Sequence, residues 1–183
     1  MFRFDPRAGS VQSEFGELIV VWCGAGNNVV RIFLPAQRGM FKRSSFGSAV
    51  FTAAPPRTIA NLCRKITRLM AGKPADLDLN ILDWSMTSRF QERVLRMESR
   101  IPRGMVSTYA RIAIKLHCPG AARAVGGALA HNPFPVIIPC HRVVRSDGSP
   151  GGYAGGADMK KQLLELEGIE FDRHGRVSTV KFW

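Results

Sequence analysis

Three prolines within seven residues, Pro133, Pro135 and Pro139, constrain this chain more than any other feature. Each locks its own φ, removes an amide donor and drives the residue before it out of the helical region. A helix read over residues 121–130 therefore cannot run on into the apolar segment Val136-Ile137-Ile138. The chain must pass through a rigid link, Asn132-Pro133-Phe134-Pro135, and then enter the interior just ahead of Cys140-His141-Arg142-Val143-Val144. A thiol and an imidazole are thereby held in a pocket behind that helix.

The helix itself is unusual. Ala121, Ala122, Ala124, Gly126, Gly127 and Ala128 leave it almost without side chains, with Arg123 the one large polar group. Glycine costs about 1 kcal/mol relative to alanine in a helix interior, so two in succession answer to close approach or tight packing rather than to stability. Upstream, Ser107 or Thr108 is a good N-cap for a helix running to Leu116, and His117-Cys118-Pro119-Gly120 is a tight break before the small-residue helix. Two short helices across a glycine-containing turn form a helix-turn-helix pattern, which competes here with an ordinary helical hairpin.

A further helix is expected over Ser88–Ser99. Arg89, Arg93, Arg96 and Arg100 form one stripe of it, and Phe90, Val94, Met97 and Ile101 an adjacent apolar stripe. Over the whole chain 26 Lys and Arg face 14 Asp and Glu, a net charge of +12 in 183 residues. Such an excess suits a polyanion partner, nucleic acid first.

The first half is read as a small α+β domain. Residues 17–23 and 29–34 are β-branched and aromatic runs joined by Gly24-Ala25-Gly26-Asn27-Asn28, a hairpin signal. A loop with a short strand at 49–52 follows, then a helix over Thr58–Met70 stopped by Gly72 and Pro74, and an edge strand at 76–79. The expected architecture is α+β: a sheet-and-helix domain over 1–85, then a mainly helical domain over 86–183 carrying the helix-turn-helix and a final helix from Ala157 to Glu167. The N-terminus has no secretory signal, no apolar run is long enough to span a bilayer, and four scattered cysteines make no disulfide framework. A reduced interior is expected, with no membrane association.

Cys140 differs from Cys23 and Cys63 in having His141 and Arg142 beside it, and a nearby base or cation favours the reactive thiolate. Neighbours along a strand point to opposite faces, however, so a turn or a water must connect Cys140 to His141. From the residues alone a reactive and an inert Cys140 both stand. His117, Cys118, Cys140 and His141 lack zinc-site spacing. Glu165 and Glu167 read as solvated charges at a helix end.

Four motifs in order and register carry a resemblance: the Ala121–Gly127 helix, Asn132-Pro133, Pro139-Cys140-His141-Arg142-Val143, and Tyr153-Ala154-Gly155-Gly156. With them, residues 88 to about 168 resemble the O6-alkylguanine-DNA alkyltransferases. The resemblance implies that Cys140 accepts the alkyl group, that His141 deprotonates it through a water, and that Glu167 orients the imidazole. It implies a hinge role for Asn132 ahead of an active-site strand. Tyr109 would help rotate the nucleotide and face the departing guanine, and Arg123 would enter the duplex where the base left. Ala121, Ala122 and Gly126 would approach the DNA; Pro135, Val143, Tyr153 and Ala154 would form the pocket, with backbone groups of Cys140, Val143 and Ala154 reading the guanine. Arg103 and Met105, where acidic or aromatic residues are common, would add to DNA attraction. No cofactor or metal is implied. The partner is double-stranded DNA bearing alkylated guanine, with O4-alkylthymine left open, and the protein is expected to be a monomer, cytoplasmic in a prokaryote or nuclear in a eukaryote.

Three rivals are weaker. Alkyltransferase-like damage sensors lack the acceptor cysteine that this chain has. A cysteine hydrolase leaves Arg123 and the basic stripe without a role. A sequence-specific regulator needs base-reading side chains that an Ala/Gly helix does not offer.

Overall fold

A computed structural model describes residues 5–24, 26–178 and 182–183. Residues 1–4, read above for a leader, and Ala25 of the hairpin loop lie outside them. The chain divides into two compact units, Met1–Met86 with Pro133–Ile137, and Thr87–Asn132 with Ile138–Trp183.

The first unit is built on β1 (Arg7–Ser13), β2 (Gly16–Cys23), β3 (Asn28–Phe33) and a two-residue β4 (Val50–Phe51). They lie in the order β3-β2-β1-β4; β1 is antiparallel to β2, β2 to β3, and β4 runs parallel to β1. β2 is central, and Leu18 to Trp22 are all buried, the continuous apolar run of a strand covered on both faces. β1 was not anticipated, because Arg-Ala-Gly-Ser-Val-Gln-Ser has little β-propensity. Its pairing with β2 makes it a strand, and Gly9 is required where the Trp22 indole packs: a Cβ there would come within 3.3 Å of the ring.

On one face Ile19, Val21, Val30 and Phe33 pack with Phe41 of a short helix α1 (Arg38–Arg43), which the sequence reading had left as loop. Phe33 meets Phe41 edge-on at 5.3 Å. A second helix, α2 (Arg57–Met70), packs against β1 and buries Ile59, Leu62, Ile66 and Met70. The edge strand expected at 76–79 does not form. The chain reaches β3 only at Leu82 and Asp83, whose amide donates to Val29 O. Pro133 lies on β3 as well, its carbonyl accepting from the Ile32 amide at 2.8 Å, while Phe134 is fully buried and stacks edge-on with Trp84.

The second unit contains α3 (Arg89–Glu98), β5 (Ser107–Thr108), α4 (Tyr109–Lys115), α5 (Ala122–Ala130), β6 (Val143–Val144) and α6 (Ala157–Leu166). Thr108, one of the two caps expected, caps α4, and Ser88 caps α3, their hydroxyls accepting from the Arg111 and Gln91 amides. The break between α4 and α5 is made by His117 and Gly120, both at positive φ. Side chains of α3 tie the helix-turn-helix together: Arg93 donates to Leu116 O at the end of α4, and Gln91 to Ala128 O and His131 O at the end of α5. Those groups satisfy carbonyls that a helix end leaves open. β5 and β6 pair in parallel, which anchors the residues just after Cys140 beside the start of α4. No helix among the described residues is long and apolar enough to cross a membrane.

Candidate active site and nucleic-acid-binding helix

Cys140 does not lie on a strand. It opens one turn of 3-10 helix, Cys140–Arg142, closed by the Arg142 amide on Pro139 O and the Val143 amide on Cys140 O. Successive side chains in such a turn fan out by about 120°, so His141 is not on the face opposite Cys140. Pro139, with no amide to satisfy, suits the entry. The Cys140 thiol is buried and accepts from Asn132 Nδ2 at 3.3 Å; the same amide reaches Ile138 O at 3.3 Å. Asn132 thus clasps both ends of the link that follows α5.

His141 Nε2 lies 3.3 Å from Glu167 Oε1. An ionised carboxylate only accepts, so Nε2 carries the hydrogen and Nδ1 is the free base of a neutral imidazole. Nδ1 is buried and has no hydrogen-bond partner among the described residues. Burial holds the imidazole below its ordinary pKa against the pull of Glu167, so His141 rests neutral. Glu167 is nonetheless ionised. Burial alone would raise its carboxyl, but the hydrogen bonds from His141 and Arg142 bring it down to about 2. Arg142 supplies the charge: Nε reaches Oε2 at 2.7 Å, Nη2 reaches Oε1 at 2.6 Å, and Nη1 is held by Ile101 O at 2.7 Å. Such a forked pair is the strong form of a charged hydrogen bond.

A cavity of about 350 Å³ opens over the thiol, lined by Tyr109, Gly126, Leu129, Ala130, Cys140, Gly152, Tyr153 and Ala154. Tyr109 stands between α5 and the Gly151 loop. Its ring faces Gly126, and a Cβ on Gly151 would come within 3.1 Å of its hydroxyl. Burial, with Glu98 and Cys140 nearby, raises the Tyr109 hydroxyl, so it stays protonated. The thiol is also held protonated: burial first, then Glu98, pushes it up to about 12, against the Asn132 hydrogen bond and the charge of Lys160.

Along α5 the exposed residues are Arg123, Ala124, Gly127 and Ala130. Gly127 faces open space, with nothing within 4 Å of a built Cβ. The outer surface of α5 is therefore bare except for Arg123, a shape that lets backbone approach a groove.

These features have counterparts in known proteins. Residues 89–169 match the family model described as 6-O-methylguanine DNA methyltransferase, DNA binding domain. A methylated-DNA–protein-cysteine methyltransferase of Methanothermobacter thermautotrophicus is 45% identical over 120 residues, 66% of this chain and 67% of that protein. One from Mycolicibacterium paratuberculosis is 41% identical over 127 residues, 69% and 73% of the two chains. The chain belongs to the methylated-DNA–protein-cysteine methyltransferase family. A crystal structure of Mycobacterium tuberculosis OGT in complex with DNA superposes with a TM-score of 0.72 at 31% identity, covering 88% of this chain and 92% of that one.

Within this methyltransferase framework several sequence readings change. Glu167 is not a solvated helix-end charge but a buried ion-pair partner. Pro135 does not line the cavity; it groups with the first unit. Val143 does not line it either; its amide donates to Cys140 O, and its carbonyl accepts from Lys160 Nζ at 2.7 Å. Gly127 packs against nothing and faces open space. The basic stripe of α3 is exposed, yet Arg93 is bonded to Leu116 O and Arg96 to Glu92. Arg103 donates to Leu166 O, so its charge caps α6. The buried residues of α3 are Val94, Leu95 and Glu98, with Ile101 buried just beyond its end, and Met97 is not among them. Arg142 as the partner of Glu167, and the buried Glu98 and Lys160, were missed altogether. The one local hint was Glu98 falling at i+4 from Val94, inside an apolar stripe.

Proposed function

We propose that this chain repairs DNA by direct reversal, taking an alkyl group from O6 of guanine onto Cys140, once and irreversibly. The observation that carries the reading is a buried thiol at the floor of a base-sized cavity, with an unoccupied imidazole base and an ionised carboxylate behind it. A guanine inside the duplex cannot reach that thiol. The nucleotide must be flipped out, at a cost of a few kcal/mol that a damaged pair lowers.

In the proposed reaction the Cys140 proton passes through a water to His141 Nδ1, and the imidazolium is held by Glu167. The thiolate attacks the alkyl carbon, a carbon–sulfur bond forms, and the carbon–O6 bond breaks with its electron pair left on guanine. Tyr109, protonated and on the cavity wall, offers a proton to the departing ring. Asn132 orients the thiol, and Tyr153, Gly152 and Ala154 bound the ring. The product thioether is not readily hydrolysed, so each molecule reacts once and no cofactor takes part.

In this reading Arg123, exposed on α5, fills the gap left in the stack, and Ala121, Ala122 and Gly126 admit the helix to a minor groove. The net positive charge supplies sequence-independent phosphate attraction. DNA binding accords with the matched domain; preference for alkylated guanine, a monomeric state, and residence with the chromosome in the prokaryotic cytoplasm or eukaryotic nucleus complete the proposal. A damage sensor that flips the base without transfer is the remaining alternative, and the intact Cys140 argues against it.

Peptide mass after incubation with excess O6-methylguanine duplex tests this. One added methylene on Cys140, absent in Cys140→Ala, is expected. Tight lesion binding with no mass change would leave the damage sensor.

A further inference from the structure

No charged residue among the described ones lines the cavity over Cys140, yet an extruded nucleotide carries charge with it. Its base hangs from a sugar between two phosphodiesters, and seating the base leaves those anions outside the cavity. One free cation stands beside the wall. Arg145, just after β6, opens a tight turn: its amide donates to Ser149 O at 2.9 Å and its carbonyl accepts from the Gly148 amide at 3.0 Å. Gly148 O accepts in turn from the Val177 amide at 2.9 Å, which pins the turn to the chain beyond α6. Just past the turn Gly151 lies at positive φ, and a Cβ built there would sit 3.1 Å from the Tyr109 hydroxyl and 3.5 and 3.7 Å from Cγ and Nε of Arg145. Gly151 is thus where the Arg145 side chain meets the cavity wall, and Gly152 after it lines the cavity. Arg145 is exposed, and its guanidinium makes no hydrogen bond or ion pair among the described residues. Asp147, the acid of the same turn, accepts instead from the Ser149 amide and hydroxyl. The neighbouring cations are committed, Arg142 to Glu167 and Ile101 O, Lys160 to Val143 O and Gly152 O.

We propose that Arg145 binds the extruded nucleotide, its guanidinium holding a phosphodiester that flanks the lesion once the base is in the cavity. The fork of a guanidinium matches two phosphate oxygens at once, and the hydrogen-bonded turn fixes where that fork begins. The contact exists only while the nucleotide is out. It therefore favours duplex carrying a lesion over undamaged duplex, unlike the diffuse attraction of the net charge, and it is separate from Arg123, whose place is in the stack. The inference rests on guanine entering this cavity, as the repair reading requires.

Duplex binding by full-length Cys140→Ser protein, which has no thiol to accept the methyl group, provides the test. Three duplexes are titrated: one with O6-methylguanine, one with O6-methylguanine between two uncharged methylphosphonates, and one undamaged. Adding Arg145→Gln should weaken binding of the ordinary lesion duplex about tenfold and lower the slope of log affinity against log salt by about one. Undamaged duplex should change by less than about twofold, the contact being absent there. The methylphosphonates should cost the parent protein a similar factor and the Arg145→Gln protein little more. Arg145→Lys, which keeps the charge, should keep the slope. Equal losses on damaged and undamaged duplex, or a methylphosphonate loss undiminished by Arg145→Gln, overturn the proposal. If Arg145→Gln does not show native circular dichroism, the parent protein decides: equal binding of the two lesion duplexes overturns the proposal, and a loss with the methylphosphonates upholds it. Methyl transfer is measured separately on wild type. Lesion duplex bound but not methylated sinks the transfer reading alone; methylation with binding indifferent to Arg145 sinks this inference alone.

Discussion

Glu98 and Glu167 are the same residue type, both buried, both near the end of a helix in the second unit, and their ionisation is opposite. Glu167 accepts from His141 and twice from Arg142, and titrates at about 2. Glu98 has no hydrogen-bond partner among the described residues, and burial raises it to about 8. Burial raises both, so burial does not separate them. What separates them is a guanidinium fork, which replaces the water each carboxylate loses and is available to only one. The same contrast divides their roles: Glu167 keeps a permanent charge behind His141, whereas the charge on Glu98 depends on pH.

Removing the fork should have the largest effect. Arg142→Met leaves Glu167 buried without its cation and frees Ile101 O, and a loss of about 3–5 kcal/mol in urea unfolding is expected. A loss below about 1 kcal/mol would mean that His141 alone sustains Glu167. Next comes the acid limb. The folded pKa of Glu167 is depressed, so its contribution is full above the ordinary value of 4.5 and disappears as pH falls through about 2. That contribution is about 3 kcal/mol by linkage. Glu167→Gln should flatten the stability curve there, and an unchanged curve would contradict the assignment.

Glu98 should behave with the opposite sign. Its folded pKa is raised, so the folded state holds the extra proton and stability falls as pH climbs from 4.5 towards about 8. Glu98→Gln should match wild type at pH 4 and exceed it at pH 9 by on the order of 2 kcal/mol, water entry relieving part of the penalty. Equal stabilities at pH 9 would show that Glu98 finds a partner on ionising. The smallest effect is expected outside both pockets, at Gly127, where open space lets a methyl group fit. Gly127→Ala should stabilise the protein by about 1 kcal/mol in thermal unfolding while weakening DNA binding in a titration. Unaltered binding would separate the bare face of α5 from DNA approach.

What could be read from the chain depended on how locally each feature is specified. The helices read from periodicity, caps, composition and glycine or proline stops, α2 to α6, emerged within a residue or two at their ends. α1 and β1 did not: the first is a single short segment of Arg-Gly-Met-Phe-Lys-Arg, and the second becomes a strand through its partner. Cys140, His141 and Asn132 were legible as candidates because motif and proline spacing are local. Glu167 reached the site only through the family resemblance, and Glu98 by neither route. On the chain it is one acid among arginines, and its isolation exists only once α3, α4 and α6 close round it.

The sequence by itself determined a basic α+β protein with a small-residue helix, a rigid proline link and a cysteine–histidine pair, because prolines, glycines and caps act on their own backbone. Only the tertiary structure decided which charges are buried and who meets them. That decision turned Arg142 from a neighbour of the thiol into the partner of Glu167, and grouped Pro135 with the first unit. Ionisation follows from the sum of burial and partners, and those come from elements far apart in the chain.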